Sequence, residues 1–159
     1  MISTDEFKKS LGKFASGVTV ITYKEKSSYS GITVSSFSSL SLDPPLVLFS
    51  INKSYNSHDR LTESKFFAIH ILSNEQENLS NSFASSKVNK NDLILSLNPS
   101  FKEEIPILPS SLSVLLCENY KIYDGGDHSI FLGKVVYTES DDSREPLLYY
   151  NKGYRSLSK

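Results

Sequence analysis

A chain of 159 residues, 38% of them hydrophobic, is long enough to bury a core within one domain. Its 17 basic and 18 acidic residues leave a net charge of −1, which offers no electrostatic footprint for nucleic acid or an anionic membrane surface. The single cysteine, Cys117, excludes an internal disulfide, and no apolar run approaches the roughly 18 residues of a membrane span, so one cytoplasmic domain over residues 1–159 is expected.

Ser3 and Glu6 have capping-box spacing, Ile2 and Phe7 have staple spacing, and Phe7, Leu11 and Phe14 recur at helical intervals. A short amphipathic helix should open the chain. Gly17 ends that pattern, and the β-branched run Val18 to Tyr23 reads as a strand. Gly31 to Ser35 and Leu46 to Asn52 read as the next two strands. Between them, six of the nine residues from Thr33 to Ser41 carry hydroxyls, and Pro44 and Pro45 close the stretch. Strands on both sides make it a tight connection between core elements rather than a flexible linker.

Farther along, a short helix is predicted at about Ser57 to Glu63, a strand at Phe66 to Leu72, and a second full helix behind an Asn74 and Glu77 cap pair. Val88 to Pro109 is polar and interrupted by Pro99, Pro106 and Pro109, which predicts a long surface excursion. Leu112 to Tyr123 and Ser129 to Thr138 flank "DGGDH" as a hairpin, its paired glycines supplying positive φ, and "PLLYY" ends the pattern as a last strand. About six strands joined mostly by turns, with three short helices, favour an antiparallel barrel over a doubly wound sheet.

Several chemistries lack their signatures. There is no glycine-rich dinucleotide turn, no phosphate-binding loop with its lysine and no G-x-S-x-G elbow. His58, His70 and His128 lie far apart without ligand spacing, so no metal is expected. Cys117, inside "LSVLLCENYKIY", reads as a buried structural thiol, His70 as a satisfied core or barrel-facing histidine, and His58 as a surface residue. What remains is an anionic ligand held by many neutral donors. Backbone N–H groups and hydroxyls of the first loop could cradle it, joined by Lys53, Ser54 and Ser57 ahead of a helix N-terminus. A solvated lysine and an ordinary helix cap are the plainer readings of Lys53 and Ser57.

The segments "FASGVTVIT", "GITVSSFSSLSLDPPLVLFSINKS", "FAIHILSNEQENLSNSFA" and "GDHSIFLGKVV", followed by "PLLYYNKGYRSL", resemble in order the flavin reductase-like family with its FMN-binding split barrel. The family includes NAD(P)H:flavin oxidoreductase components of two-component monooxygenases. The resemblance covers most of the chain outside residues 88 to 110. It implies a mainly β, antiparallel Greek-key split β-barrel with a few short flanking helices. It also implies FMN, or FAD, as the flavin, NAD(P)H as co-substrate, a homodimer, and a flavin-dependent monooxygenase as partner.

By the same resemblance, Thr33, Val34, Ser35 and Ser36 would line the isoalloxazine edge, while Ser38, Ser39 and Ser41 hold that loop. Ser50, Asn52, Lys53, Ser54 and Ser57 would face the ribityl chain and phosphate. Ser16 and Gly17 match a small-residue turn beside the flavin, and His128 matches a histidine near the nicotinamide. Tyr149, Tyr150 and Tyr154 fall in a closing segment that approaches the partner subunit's site in such dimers. Two other readings stay open: an FMN-binding electron carrier without nicotinamide turnover, and a barrel whose serines merely cap turns.

Overall fold

The computed structural model describes residues 1–157. In chain order its elements are α1 (Thr4–Leu11), β1 (Ser16–Gly17), β2 (Thr19–Glu25), β3 (Ser28–Val34), β4 (Ser38–Leu42), β5 (Pro45–Asn52), α2 (Asn56–Glu63) and β6 (Phe66–Ile71). A 3₁₀ turn (Asn74–Gln76) then leads into α3 (Glu77–Ala84), α4 (Lys90–Ser96), β7 (Ser100–Lys102) and β8 (Ile105–Ile107). The chain finishes with β9 (Ser113–Gly125), β10 (His128–Ser140), β11 (Leu148–Tyr150) and β12 (Gly153–Arg155).

Seven strands form one antiparallel sheet in the order β3-β2-β6-β9-β10-β5-β4. Non-sequential neighbours give it Greek-key connectivity, with α2 carrying the chain from β5 across to β6. Register shifts at Leu132/Gly133 and Val135/Tyr137 bend the long β9–β10 hairpin, as bulges do. The sheet curls until β3 approaches β5, but these two do not pair as strands. Instead the Ser36 hydroxyl donates to the Ser50 carbonyl at 3.2 Å and accepts the Ser50 N–H at 2.9 Å. The barrel is therefore split, and a single serine spans the gap.

Alternation along the strands fills the barrel with Ile21, Tyr23, Phe49, Ile51, Phe67, Ile69 and Phe131. Phe49 stacks on Phe131 with centroids 5.4 Å apart and meets Phe67 edge-on at 5.2 Å. Val18, Val20, Leu72, Phe83, Ile94 and Leu108 form a second cluster involving α3 and α4. Gly31 allows that packing, since a Cβ there would stand 2.8 Å from both the Ile21 carbonyl and the Phe83 ring.

Four expectations need correction. The hydroxyl stretch contains an edge strand, β4, which pairs with β5 through a bulge between Ser39 and Ser41, because alternate serines can face water while the backbone completes the ladder. Residues 88–109 are not a surface excursion: Ile94, Ile105, Ile107 and Leu108 are buried, and Pro106 is tolerated because β8 pairs only with the short β7. The second helical cap is Ser73 with Gln76, one position before the expected pair. In the β9–β10 turn only Gly126 takes positive φ, at 77°.

The opening helix forms with the expected Ser3–Glu6 capping box. It buries none of its residues, however, and Ile2, Phe7, Leu11 and Phe14 are all exposed, so the expected Ile2–Phe7 staple draws neither side chain out of water. Among the described residues no helix is long and apolar enough to cross a membrane.

Candidate functional site

Where β3 leaves β5, the unfinished seam opens into a cavity of about 220 Å³ lined by Ile32, Thr33, Val34, Ser35, Ser36, Ser50, Ile51, Asn52, Tyr55 and His128. The register explains the convergence. His128 starts β10 directly opposite Asn52 at the end of β5, so the β9–β10 turn and the β5–α2 loop share one rim. On the other side Thr19 pairs with Val34 and donates its hydroxyl to the Val34 carbonyl at 2.9 Å, fixing the end of β3.

The cavity's polar groups divide by commitment. The Thr33 hydroxyl donates to the Ser80 carbonyl on α3 at 2.7 Å, and the Ser36 hydroxyl is held by Ser50, so both serve the wall. Ser35 is exposed, and neither its hydroxyl nor that of Ser50 bonds to any described residue. Asn52 accepts the Ser54 N–H and hydroxyl at 2.8 and 2.7 Å on its Oδ1, which leaves its amide N–H groups available. His128 donates from Nδ1 to Asp127 at 2.7 Å, and that bond is the main reason the Asp127 carboxyl lies below its ordinary range.

At the start of α2 the N-cap residue is Tyr55, which contributes no side-chain cap bond. With the His58 N–H taken by the Tyr55 carbonyl, the Asn56 and Ser57 N–H groups of the first turn remain open to an anion. Lys53 lies just before that turn but is tied elsewhere: its ammonium pairs with Asp124 and donates to the Gly126 carbonyl at 2.7 Å. The Asp124 carboxyl is held below its usual range chiefly by this hydrogen bond.

Of the residues expected at the site, Thr33, Val34, Ser35, Ser36, Ser50, Asn52 and His128 line the cavity. Ser38, Ser39 and Ser41 lie on β4 instead, engaged by backbone pairing with β5. Lys53, Ser54 and Ser57 occupy the adjoining loop and first turn of α2 without reaching the lining. Ser16 and Gly17 form β1, opposite Tyr149 and Leu148, two residues before the Thr19–Val34 pair.

Three lining residues escaped the sequence reading: Ile32, Ile51 and Tyr55. Only Tyr55 left a signal, as the one aromatic inside a run of serine and asparagine. His58 also differs from expectation. It is largely buried, edge-on to Phe131 at 5.8 Å, with Nε2 2.8 Å from the Ser129 hydroxyl, so it packs beneath the loop rather than on the surface.

The remaining titratable groups lie off the cavity. His70 is wholly buried, donating from Nδ1 to the Val20 carbonyl at 3.1 Å and accepting the Leu108 N–H at 3.0 Å. Burial pushes the Cys117 thiol up to about 12, which suits a structural rather than a nucleophilic role.

Comparison with known proteins bears on what the cavity serves. The family described as flavin reductase like domain matches residues 11–158. The FMN reductase (NADH) SmoA of Agrobacterium fabrum is 37% identical over 153 residues, covering 96% of this chain and 86% of its own. The reductase component of 4-hydroxyphenylacetate 3-monooxygenase from Thermus thermophilus is 34% identical over 96% of both chains. Among solved structures, the Streptomyces globisporus NADH:FAD oxidoreductase SgcE6, in complex with NAD and FAD fragments, superposes with a TM-score of 0.90 at 32% identity, covering 99% of this chain and 96% of the other.

Proposed function

Because the chain belongs to the flavin reductase like domain family, we infer that it is an NAD(P)H-dependent flavin reductase, an oxidoreductase that passes hydride from reduced nicotinamide to a flavin. The observation that carries this reading is the meeting, at the barrel's split, of an apolar surface with uncommitted donors. Ile32 and the exposed edges of the otherwise buried Val34 and Ile51 floor the cavity, while Ser35, Ser50 and Asn52 offer donors beside it. These residues fit a flat heteroaromatic ring whose edge carries carbonyl groups and whose tail carries phosphate.

When bound, the flavin supplies the redox chemistry by accepting the hydride. The chain's task is to hold two rings face to face and exclude water, which needs no general base. Ser35 and Ser50 would donate to the ring's polar edge, where backbone and hydroxyl dipoles stabilise developing negative charge. Asn52, Ser54, Ser57 and the open amides of α2 would hold the tail and phosphate. Ser36 would keep the seam closed behind the ring. The strand pair Ser38 to Ser41 would support it from outside, and Ser16 with Gly17 would border its far end. His128 would stand beside the nicotinamide, its ring orientation fixed by Asp127.

FMN is the proposed flavin, since it contains every part these residues hold. FAD carries the same parts and an adenylyl extension. A cavity of about 220 Å³ lies below the ~300–1,000 Å³ usual for small-molecule sites, so the chain alone encloses only part of the ligand. A homodimer would supply the missing wall. The uncovered apolar residues of α1 and exposed Tyr149 and Tyr150 suit such an interface. With relatives that are reductase components, a flavin-dependent monooxygenase is the proposed consumer of the reduced flavin. The chain would act as one domain, in the cytoplasm where reduced nicotinamide is plentiful.

Anaerobic titration with NADH and then NADPH in the presence of FMN tests the reading. Flavin absorbance should bleach stoichiometrically with one or both nucleotides. Retention of a stable yellow colour through both titrations would make the chain an electron carrier instead.

A further inference from the structure

We propose that Tyr55 is a stacking platform for the adenine ring of a bound dinucleotide, next to the surface that takes the flavin ring. The proposal rests on the reductase reading only in supposing that an adenine-bearing ligand arrives.

Position is the first argument. Tyr55 lines the cavity together with Asn52 and His128, yet is 55% exposed, and its ring meets no other aromatic ring among the described residues. A large aromatic face at the mouth of a polar cleft is available to a flat base.

Local sequence preference is the second. Tyr55 occupies the N-cap of α2, where Ser, Thr, Asp and Asn are favoured because their short side chains accept first-turn N–H groups. Serine and asparagine stand on either side of it, so the helix could have been capped at no structural expense. A side chain that breaks a local rule beside a ligand cavity points to a functional demand.

Rigidity is the third. The backbone under the ring is held by the Tyr55 N–H donating to the Asn52 carbonyl at 3.1 Å and the His58 N–H donating to the Tyr55 carbonyl at 2.9 Å. The Ser54 N–H is pinned on the Asn52 side chain at 2.8 Å. The backbone that carries the ring is in place before any ligand binds, which leaves only the side-chain torsions of Tyr55 to be ordered on stacking. Geometry then links the parts: phosphate at the open amides of α2 leaves the next group of a dinucleotide beside the N-cap residue.

Both FAD and NADH carry adenine, and one pair of variants separates them. Tyr55→Ser removes the ring while installing a favoured cap, so the fold should be kept or improved; Tyr55→Phe keeps the ring. Flavin fluorescence titration should show the Kd ratio of FAD to FMN rising about tenfold in Tyr55→Ser and staying at the wild-type value in Tyr55→Phe, if the adenine is that of FAD. If it is that of NADH, KM for NADH should rise about tenfold in Tyr55→Ser at saturating FMN while KM for reduced nicotinamide mononucleotide does not. Unchanged values of both ratios, in a protein whose wild type binds flavin, overturn this proposal alone. A wild-type chain that binds neither FMN nor FAD overturns the reductase reading and the proposal with it.

Discussion

His70 and His128 belong to the same seven-stranded sheet and are treated in opposite ways. Around His70 every polar group is matched: the imidazole joins the Val20 carbonyl to the Leu108 amide, the Thr22 hydroxyl reaches the Pro106 carbonyl at 2.8 Å, and Gln76 reaches the Pro109 carbonyl at 3.0 Å. Around His128 several groups stay unmatched: the Ser35 and Ser50 hydroxyls and the Asn56 and Ser57 N–H groups at the start of α2 have no partner among the described residues. The first region is where residues 105–111 are fastened to the barrel. The second is where the proposed flavin would complete it. Buried polar networks specify a structure only when every member is satisfied, whereas the unmatched groups at the rim lie where water or the proposed ligand can reach them.

The largest effect is expected from breaking the matched side. His70→Leu keeps the apolar volume but strands the Leu108 N–H, worth about 1–3 kcal/mol when buried alone, while the Val20 carbonyl, still facing β6 in the ladder, loses only its second bond; urea unfolding at pH 7 should show a loss of that order. The pH profile sharpens the test. Burial holds the His70 imidazole at about 4, whereas in the unfolded chain it takes up its proton near 6.5. The neutral ring therefore contributes stability that is complete above pH 6.5 and disappears as the pH falls toward 4, on the order of 3 kcal/mol in all. His70→Leu should lose that component of the acid slope. An unchanged slope would mean that the loop at Leu108 opens before the imidazole titrates.

A smaller and more selective pair of effects is expected at the seam. Ser36→Ala removes both bonds to Ser50, so it should lower stability by about 1 kcal/mol and, by letting β3 drift from β5, weaken flavin binding several-fold. Ser35→Ala should weaken binding by a similar factor while leaving the urea midpoint within error, because its hydroxyl has no partner in the fold. Paired flavin titrations and melts distinguish the two. Should Ser35→Ala destabilise the protein and spare binding, the division into wall and ligand groups is wrong.

The same contrast explains what could be read from the sequence. Strand alternation and hairpin punctuation are local, so β2, β3, β5, β6, β9 and β10 were all legible, as was the opening capping box. Residues 88–109 were not, because their burial is decided by partners far away: Thr22 on β2 takes the Pro106 carbonyl, and His70 on β6 takes the Leu108 amide. At the site, the hydroxyl-rich stretch announced itself by composition. Composition could not reveal that Thr33 and Ser36 turn their hydroxyls to carbonyls of the wall, nor that β4 carries Ser38, Ser39 and Ser41 away from the cavity. Tyr55 shows in the sequence only as a lone aromatic among serine and asparagine, with no period to mark its role.

The smallest effect should come from Lys53, where charge and geometry give different answers. A lysine just ahead of a helix N-terminus invites assignment to a phosphate. Its ammonium, however, is already paired with Asp124 and with the Gly126 carbonyl, and its backbone N–H donates to the Asp127 carbonyl at 2.9 Å, so the residue laces the β5–α2 loop to the β9–β10 turn. The ion pair is largely exposed, and pairs of this kind contribute about 0.2–1 kcal/mol. Lys53→Ala should therefore lower stability by less than about 1 kcal/mol and change flavin Kd by less than about threefold. Asp124→Asn should do the reverse: with its partner neutral, the ammonium is free to turn toward the ligand phosphate, tightening flavin binding and making it more sensitive to salt. A loss of tenfold or more in Lys53→Ala, with the salt dependence abolished, would place that charge on the phosphate and make the Asp124 pair a resting position of the ligand-free rim.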